Sequence, residues 1–150
     1  MSVMTVRGPL CCVFGILLAL QGIGLAPGAV PPAGIVVVAN ADTPMLTEQV
    51  LQKIYLGKVV EIDGRPVVPV NLVKGARLRK EFMSQVLSQD DEKFVAYWTV
   101  RRYIGKGSPP REFDSMESQL EYLRNTPGAV GYVDASADIK GNLKTLMKRP

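Results

Sequence analysis

The stretch Lys74-Gly75-Ala76-Arg77 carries residue types suited to a chemical task. It opens a segment, Ala76 to Leu87, in which Leu78, Phe82, Val86 and Leu87 recur at helical spacing, so Lys74 to Arg77 reads as a helix start. Backbone N–H groups at such a start have no partner within the helix, and the helix dipole favours negative charge there. Lys74, Arg77 and Arg79 add cations, which suits the stretch to an oxyanion such as phosphate or sulfate. The plainer alternative is an ordinary helix start with solvated basic side chains. Gly105-Lys106-Gly107-Ser108, followed by Pro109-Pro110, is a second candidate, an interaction loop. It suits neither helix nor strand, and loops this rich in Gly and Pro often carry recognition. Its alternative is a connector of fixed geometry. Tyr97, Trp98 and Tyr103 offer rings suited to a stacking platform, but a single Trp on a helix among apolar neighbours reads as core. Arg101 and Arg102 are expected to pack their stems and solvate their heads.

Other chemistry is excluded by what the chain lacks. It has no histidine, which removes Ser-His and Cys-His nucleophile pairs and the usual zinc sites. The carboxylates, Lys, Tyr and Ser show no telling spacing. No catalytic residue, metal or cofactor is therefore expected, and the chain does not read as an enzyme. The net charge of +4 is too mild for a nucleic-acid-binding composition.

The elements that must position these residues begin after a leader. Residues 1–29 read as a secretory signal: Met1 to Pro9 with Arg7, an apolar run from Leu10 to Ala26, then small and turn-forming residues. The apolar run is shorter than the roughly 20 residues of a spanning helix. The alternative is an uncleaved leader, which would tether the domain to the inner membrane. Cys11 and Cys12 both lie in this run, so the domain expected over 30–150 has no thiol, disulfide or Cys metal site. That length supports one core, expected over 35–134, with a polar, basic, solvated tail over 135–150.

Within the core, Ile35-Val36-Val37-Val38-Ala39 suits a strand buried on both faces. Thr47 can cap a helix over Glu48 to Tyr55, with Gly57 at its end. Asp63-Gly64 between Val59–Ile62 and Val67–Val70 signals a hairpin, and Asn71 to Gly75 then reads as a loop. Ser88 can cap a helix that carries Phe94, Tyr97, Trp98 and Arg101 on one side and ends near Tyr103. Ser115 caps a last helix, Met116 to Asn125, and Ala129 to Val133 is a last strand. The methionines read as core or tail filler. Asp42 and Asp134 close their strands and are expected at a shared sheet edge. Helices alternating with strands give an α/β class, a mixed sheet with flanking helices.

The order of motifs resembles the phosphate ABC transporter substrate-binding family. The shared stretches are Ile54-Tyr55-Leu56-Gly57-Lys58, Val67 to Asn71, Tyr97-Trp98, Gly105 to Pro110 and Pro127-Gly128-Ala129-Val130-Gly131-Tyr132-Val133. The resemblance implies a single lobe of a type II periplasmic-binding-protein-like fold, since the family's full members have two lobes. It also implies an anion loop over Asn71, Lys74, Gly75, Ala76 and Arg77. The family's Ser-Gly-Thr is replaced there by Ala76-Arg77-Leu78, so its hydroxyl ligands are missing. The function implied is a periplasmic solute-binding-protein-like module for phosphate or another oxyanion, with a membrane permease, porin or sensor as partner. The alternative is an envelope accessory that has kept the fold and lost the ligand.

Overall fold

The computed structural model describes residues 34–150. The expected leader over 1–29, with Cys11 and Cys12, lies outside the described residues. The β-branched run forms β1 (Ile35–Asn40), and all six of its residues are buried. A strand this apolar needs cover on both faces of its sheet. α1 (Glu48–Tyr55) follows, with the Thr47 hydroxyl accepting from the Val50 N–H as its cap. The Asp63-Gly64 turn closes a hairpin of β2 (Glu61–Ile62) and β3 (Arg65–Pro66), with both turn residues at positive φ. This hairpin is shorter than expected. Val68 pairs elsewhere, starting β4 (Val68–Leu72), so Asn71 ends up in a strand rather than a loop.

α2 (Arg77–Gln85) and α3 (Asp91–Tyr103) come next, then β5 (Arg111–Phe113), α4 (Met116–Asn125), β6 (Ala129–Asp134) and β7 (Leu143–Arg149). Asp90, not Ser88, caps α3, because its carboxylate accepts from the Lys93 N–H at 2.7 Å. Ser88 instead takes a positive φ in the turn before it.

Five strands make one mixed sheet in the order β5-β4-β6-β1-β7. β4 is parallel to β5 and β6, and β1 is antiparallel to β6 and β7. On one face, Leu51 of α1, Phe82 of α2 and Trp98 of α3 pack with Val37 and Tyr132. On the other, Leu120 and Leu123 of α4 pack with Val36, Val38 and Val133. A Cβ on Gly131 would stand 2.9 Å from Val70 Cγ2 and 3.0 Å from Leu123 Cδ1, so the bare backbone there lets α4 lie close.

Two expectations are corrected. Met45 is exposed, not core. The tail is not a solvated terminus: Leu143–Arg149 is β7, which pairs along all of β1 with one irregularity between Val37 and Val38. Leu146 and Met147 join the larger apolar cluster and Leu143 the smaller. The lysines that disguised this segment are what an edge strand uses to discourage pairing with other chains.

Two tyrosines seal the interior between α2 and the sheet. Tyr55 donates to the Val70 carbonyl at 2.7 Å, and Tyr132 donates to Asn71 Oδ1 and accepts from the Leu72 N–H. Phe82 stacks on Tyr132 at 4.1 Å between ring centroids. Burial pushes both phenols above their ordinary value, and for Tyr55 the neighbouring Tyr132 adds to it. The folded state therefore holds neutral phenols that the unfolded chain ionises above about pH 10. Stability is intact below that pH and falls as pH rises past it, at up to about 1.4 kcal/mol per pH unit for each tyrosine. Denaturant melts between about pH 8 and 11.5 should show this slope, reduced by about half in Tyr55→Phe. A flat profile would contradict the burial.

Candidate functional site

β4, β5 and β6 run parallel, so Leu72, Phe113 and Asp134 come to one edge of the sheet. α2 and α4 begin just after β4 and β5, which brings two helix starts to that edge. Thr47, Asp90 and Ser115 cap their helices with side chains. α2 differs: Ala76 has no capping group, and the first turn holds no acidic residue. Lys74, Gly75 and Arg77 are exposed and Ala76 is half-buried, with Ala76 N–H donating to the Val73 carbonyl to close the turn.

The cations around this start are not equally available. Arg77, with half of its side chain exposed, reaches Asp134 at 2.6 Å and Glu81 at 2.7 Å. Hydrogen bonds from the Ser136 hydroxyl and N–H, then Arg77, hold the Asp134 carboxyl below its ordinary range. Lys74 makes no ion pair among the described residues. Arg79, expected to face an anion, is instead 1% exposed and turned inward. Its Nε donates to Asp91 at 2.7 Å, and Nη1 donates to the Leu72 carbonyl at 2.6 Å and to Glu112 at 2.5 Å. The sequence held a signal for this: Arg79, Phe82, Met83 and Val86 share one helical stripe, so a cation stood on the apolar face. Asp91 and Glu112 were missed because they come from α3 and β5.

Asn71 is fully buried. Its Oδ1 accepts from the Tyr132 hydroxyl and the Leu72 N–H, so it braces the end of β4 beneath the surface. Asp42 and Asp134 do not share an edge. β1 is antiparallel to β6, with Ile35 opposite Asp134, so the chain leaves β1 for Asp42 at the other end of the sheet. A cleft of about 660 Å³ beside the α2 start is lined by Lys74 and Lys80 together with Asp90, Asp91 and Glu92, so its charge is mixed.

The loop Gly105 to Ser108 forms part of a different surface. It is exposed, and it lines a groove of about 320 Å³ with Val59, Val67, Trp98 and Pro109. Arg101 does not present a solvated head. Its guanidinium donates to the Lys106 carbonyl at 2.9 Å and the Gly57 carbonyl at 3.3 Å, and it lies 5.4 Å from the Trp98 ring. Trp98 is core, as expected, and its edge fills the space where a Cβ on Gly57 would stand. Gly57 has φ 63°, a second reason for glycine there. Among the described residues no group of three or more His, Cys, Asp or Glu is placed to hold a metal ion.

No protein-family profile matches the chain, and no curated protein matches it in sequence. Two of the solved structures that share its architecture are phosphate-transport binding proteins. One, from Clostridium perfringens, is assigned as a phosphate ABC transporter substrate-binding protein and was solved with bound phosphate. It has a TM-score of 0.58 and 17% identity over 75% of this chain and 44% of that one. The other is an ABC-type phosphate transport receptor from Vibrio cholerae, with a TM-score of 0.51 and 16% identity over 75% and 45%. The fold is that of a periplasmic binding protein. This chain spans less than half the length of either structure. Both are binding proteins, and at these identities the likeness speaks to the fold alone.

Proposed function

We propose that this chain is a one-lobe solute-binding-protein-like module that takes phosphate or another oxyanion at the start of α2. The observation that carries this reading is the α2 N-terminus itself. It is uncapped, has no acidic residue in its first turn, is flanked by exposed Lys74, and is set at the carboxyl edge of the parallel strands. A structure of similar fold was solved with phosphate, which supports that ligand class. The leader read from the sequence would place the module in the periplasm, within reach of a permease, porin or sensor. The module works by binding, without catalysis.

Binding is expected to be weak, because hydroxyl ligands are absent and Arg77 is shared with Asp134 and Glu81. Calorimetry with phosphate and sulfate at low salt should give dissociation constants on the order of millimolar. Arg77→Ala should weaken them, and Asp134→Asn, which releases Arg77, should tighten them about fivefold. The second reading is the envelope accessory, acting through the Gly105–Ser108 loop and its groove. It is favoured by the carboxylates that already neutralise Arg77 and Arg79 within the chain. Absence of heat at about 20 mM oxyanion with both the parent and Asp134→Asn would select it.

A further inference from the structure

The groove of about 320 Å³ beside the Gly105–Ser108 loop is lined by apolar side chains and by cations, and by no carboxylate. Val59, Val60, Val67, Trp98 and Pro109 supply apolar wall, and Val60 is 66% exposed. Arg101 makes no ion pair among the described residues. Its guanidinium donates to the Tyr97 hydroxyl and to the Gly57 and Lys106 carbonyls, which are all neutral, so its charge is not compensated. Its Nε is buried without a partner among the described residues. Lys106 is exposed and likewise unpaired. Arg111 also lines the groove, but its guanidinium lies over the Phe113 and Tyr122 rings, at 5.0 and 5.1 Å.

α1 and α3 both end near this groove, and helix C-termini carry partial negative charge, which opposes an anion. Here the last carbonyls of α1 are already taken. Tyr55 accepts from Trp98 Nε1 at 3.2 Å, Leu56 from the Tyr97 hydroxyl at 2.8 Å and Gly57 from Arg101 at 3.3 Å. In the loop, the Gly107 and Ser108 N–H groups have no backbone partner among the described residues. We propose that this groove binds a small carboxylic acid with a branched or aromatic apolar body. The carboxylate pairs with Arg101 and Lys106 and takes the loop N–H groups, while the body lies along Trp98 and the valines. An inorganic oxyanion has nothing to set against the apolar wall, and a neutral molecule leaves the cations unpaired. The volume is at the small end of ligand pockets, which limits the size of the occupant. The groove lies at the amino ends of β4 and β5, whereas the α2 start lies at their carboxyl ends, so the inference does not depend on oxyanion binding.

Trp98 is the chain's only tryptophan, so its fluorescence reports on this groove. The full chain is titrated with isocaproate and with phenylacetate, followed by fluorescence and by calorimetry. The expected dissociation constants are on the order of 0.1–1 mM. The corresponding neutral amides should bind at least about tenfold more weakly. Lys106→Glu should weaken the acids about tenfold by placing a carboxylate in the groove, and Val60→Asn about threefold by spoiling its wall. Both positions are exposed, so thermal melts should stay unchanged. Inorganic phosphate at about 20 mM should leave the fluorescence as it is. The proposal is overturned if neither acid gives a fluorescence change or heat at about 10 mM, if the amides bind as well as the acids, or if Lys106→Glu makes no difference. A phosphate response equal to that of the acids would also overturn it, since charge alone would then decide. An N-acetylated dipeptide ending in leucine that binds more than about tenfold tighter than isocaproate would give the groove to a chain's carboxyl terminus instead.

Discussion

Arg79→Ala is expected to lower the free energy of unfolding by about 3–5 kcal/mol, the cost of breaking a buried ion pair from one side. The substitution strips two buried acceptors at once. Asp91, with 10% of its side chain exposed, would keep a charge without its partner, and the Leu72 carbonyl would lose its donor. Glu112 adds little to the loss, because 44% of its side chain meets solvent and water can replace the arginine there. Lysine should recover less than half, since one ammonium cannot serve acceptors on β4, α3 and β5 in the directions the guanidinium reaches. Replacing the whole group by Arg79→Met, Asp91→Asn and Glu112→Gln should come closer to the parent than Arg79→Ala does. Denaturant unfolding measures all three. A loss below about 1 kcal/mol for Arg79→Ala would mean the site is wetter than its burial implies.

Removing β7 is expected to abolish cooperative folding. A chain ending at Asn142 leaves the whole of β1 without one of its two partners. β1 is buried throughout and almost wholly apolar, so it would become an exposed sheet edge of the kind that pairs with other chains. The truncated chain should show no sharp thermal transition, should bind a hydrophobic dye and should aggregate. A transition within about 5 °C of the parent would show that the strand is peripheral.

What was legible in the sequence followed from strong local signals. The run Ile35 to Ala39 announced a strand covered on both sides, and Thr47 and Ser115 announced their helices because a capping hydroxyl acts within three residues. β5 has only three residues, too few to show a period. β7 was hidden because an edge strand trades apolar alternation for lysines. At the site, the loop Lys74 to Arg77 was legible as a helix start, and the structure puts one there. Which of its cations were free was not, because their partners Asp91, Glu112 and Asp134 belong to other elements. The strand directions that separate Asp42 from Asp134 are likewise set by pairing across about a hundred residues of chain.

The position of β1 has a consequence for the order of events in the protein's making. β1 needs two neighbours, β6 and β7, that are made after every other element described. Its pairing spans nearly the whole domain, from Ile35 to Arg149, and contacts so distant in sequence form slowly. The sheet therefore cannot close before β7 has been made. Until Arg149 is made, β1 is an apolar segment waiting for its place, open to a holding chaperone.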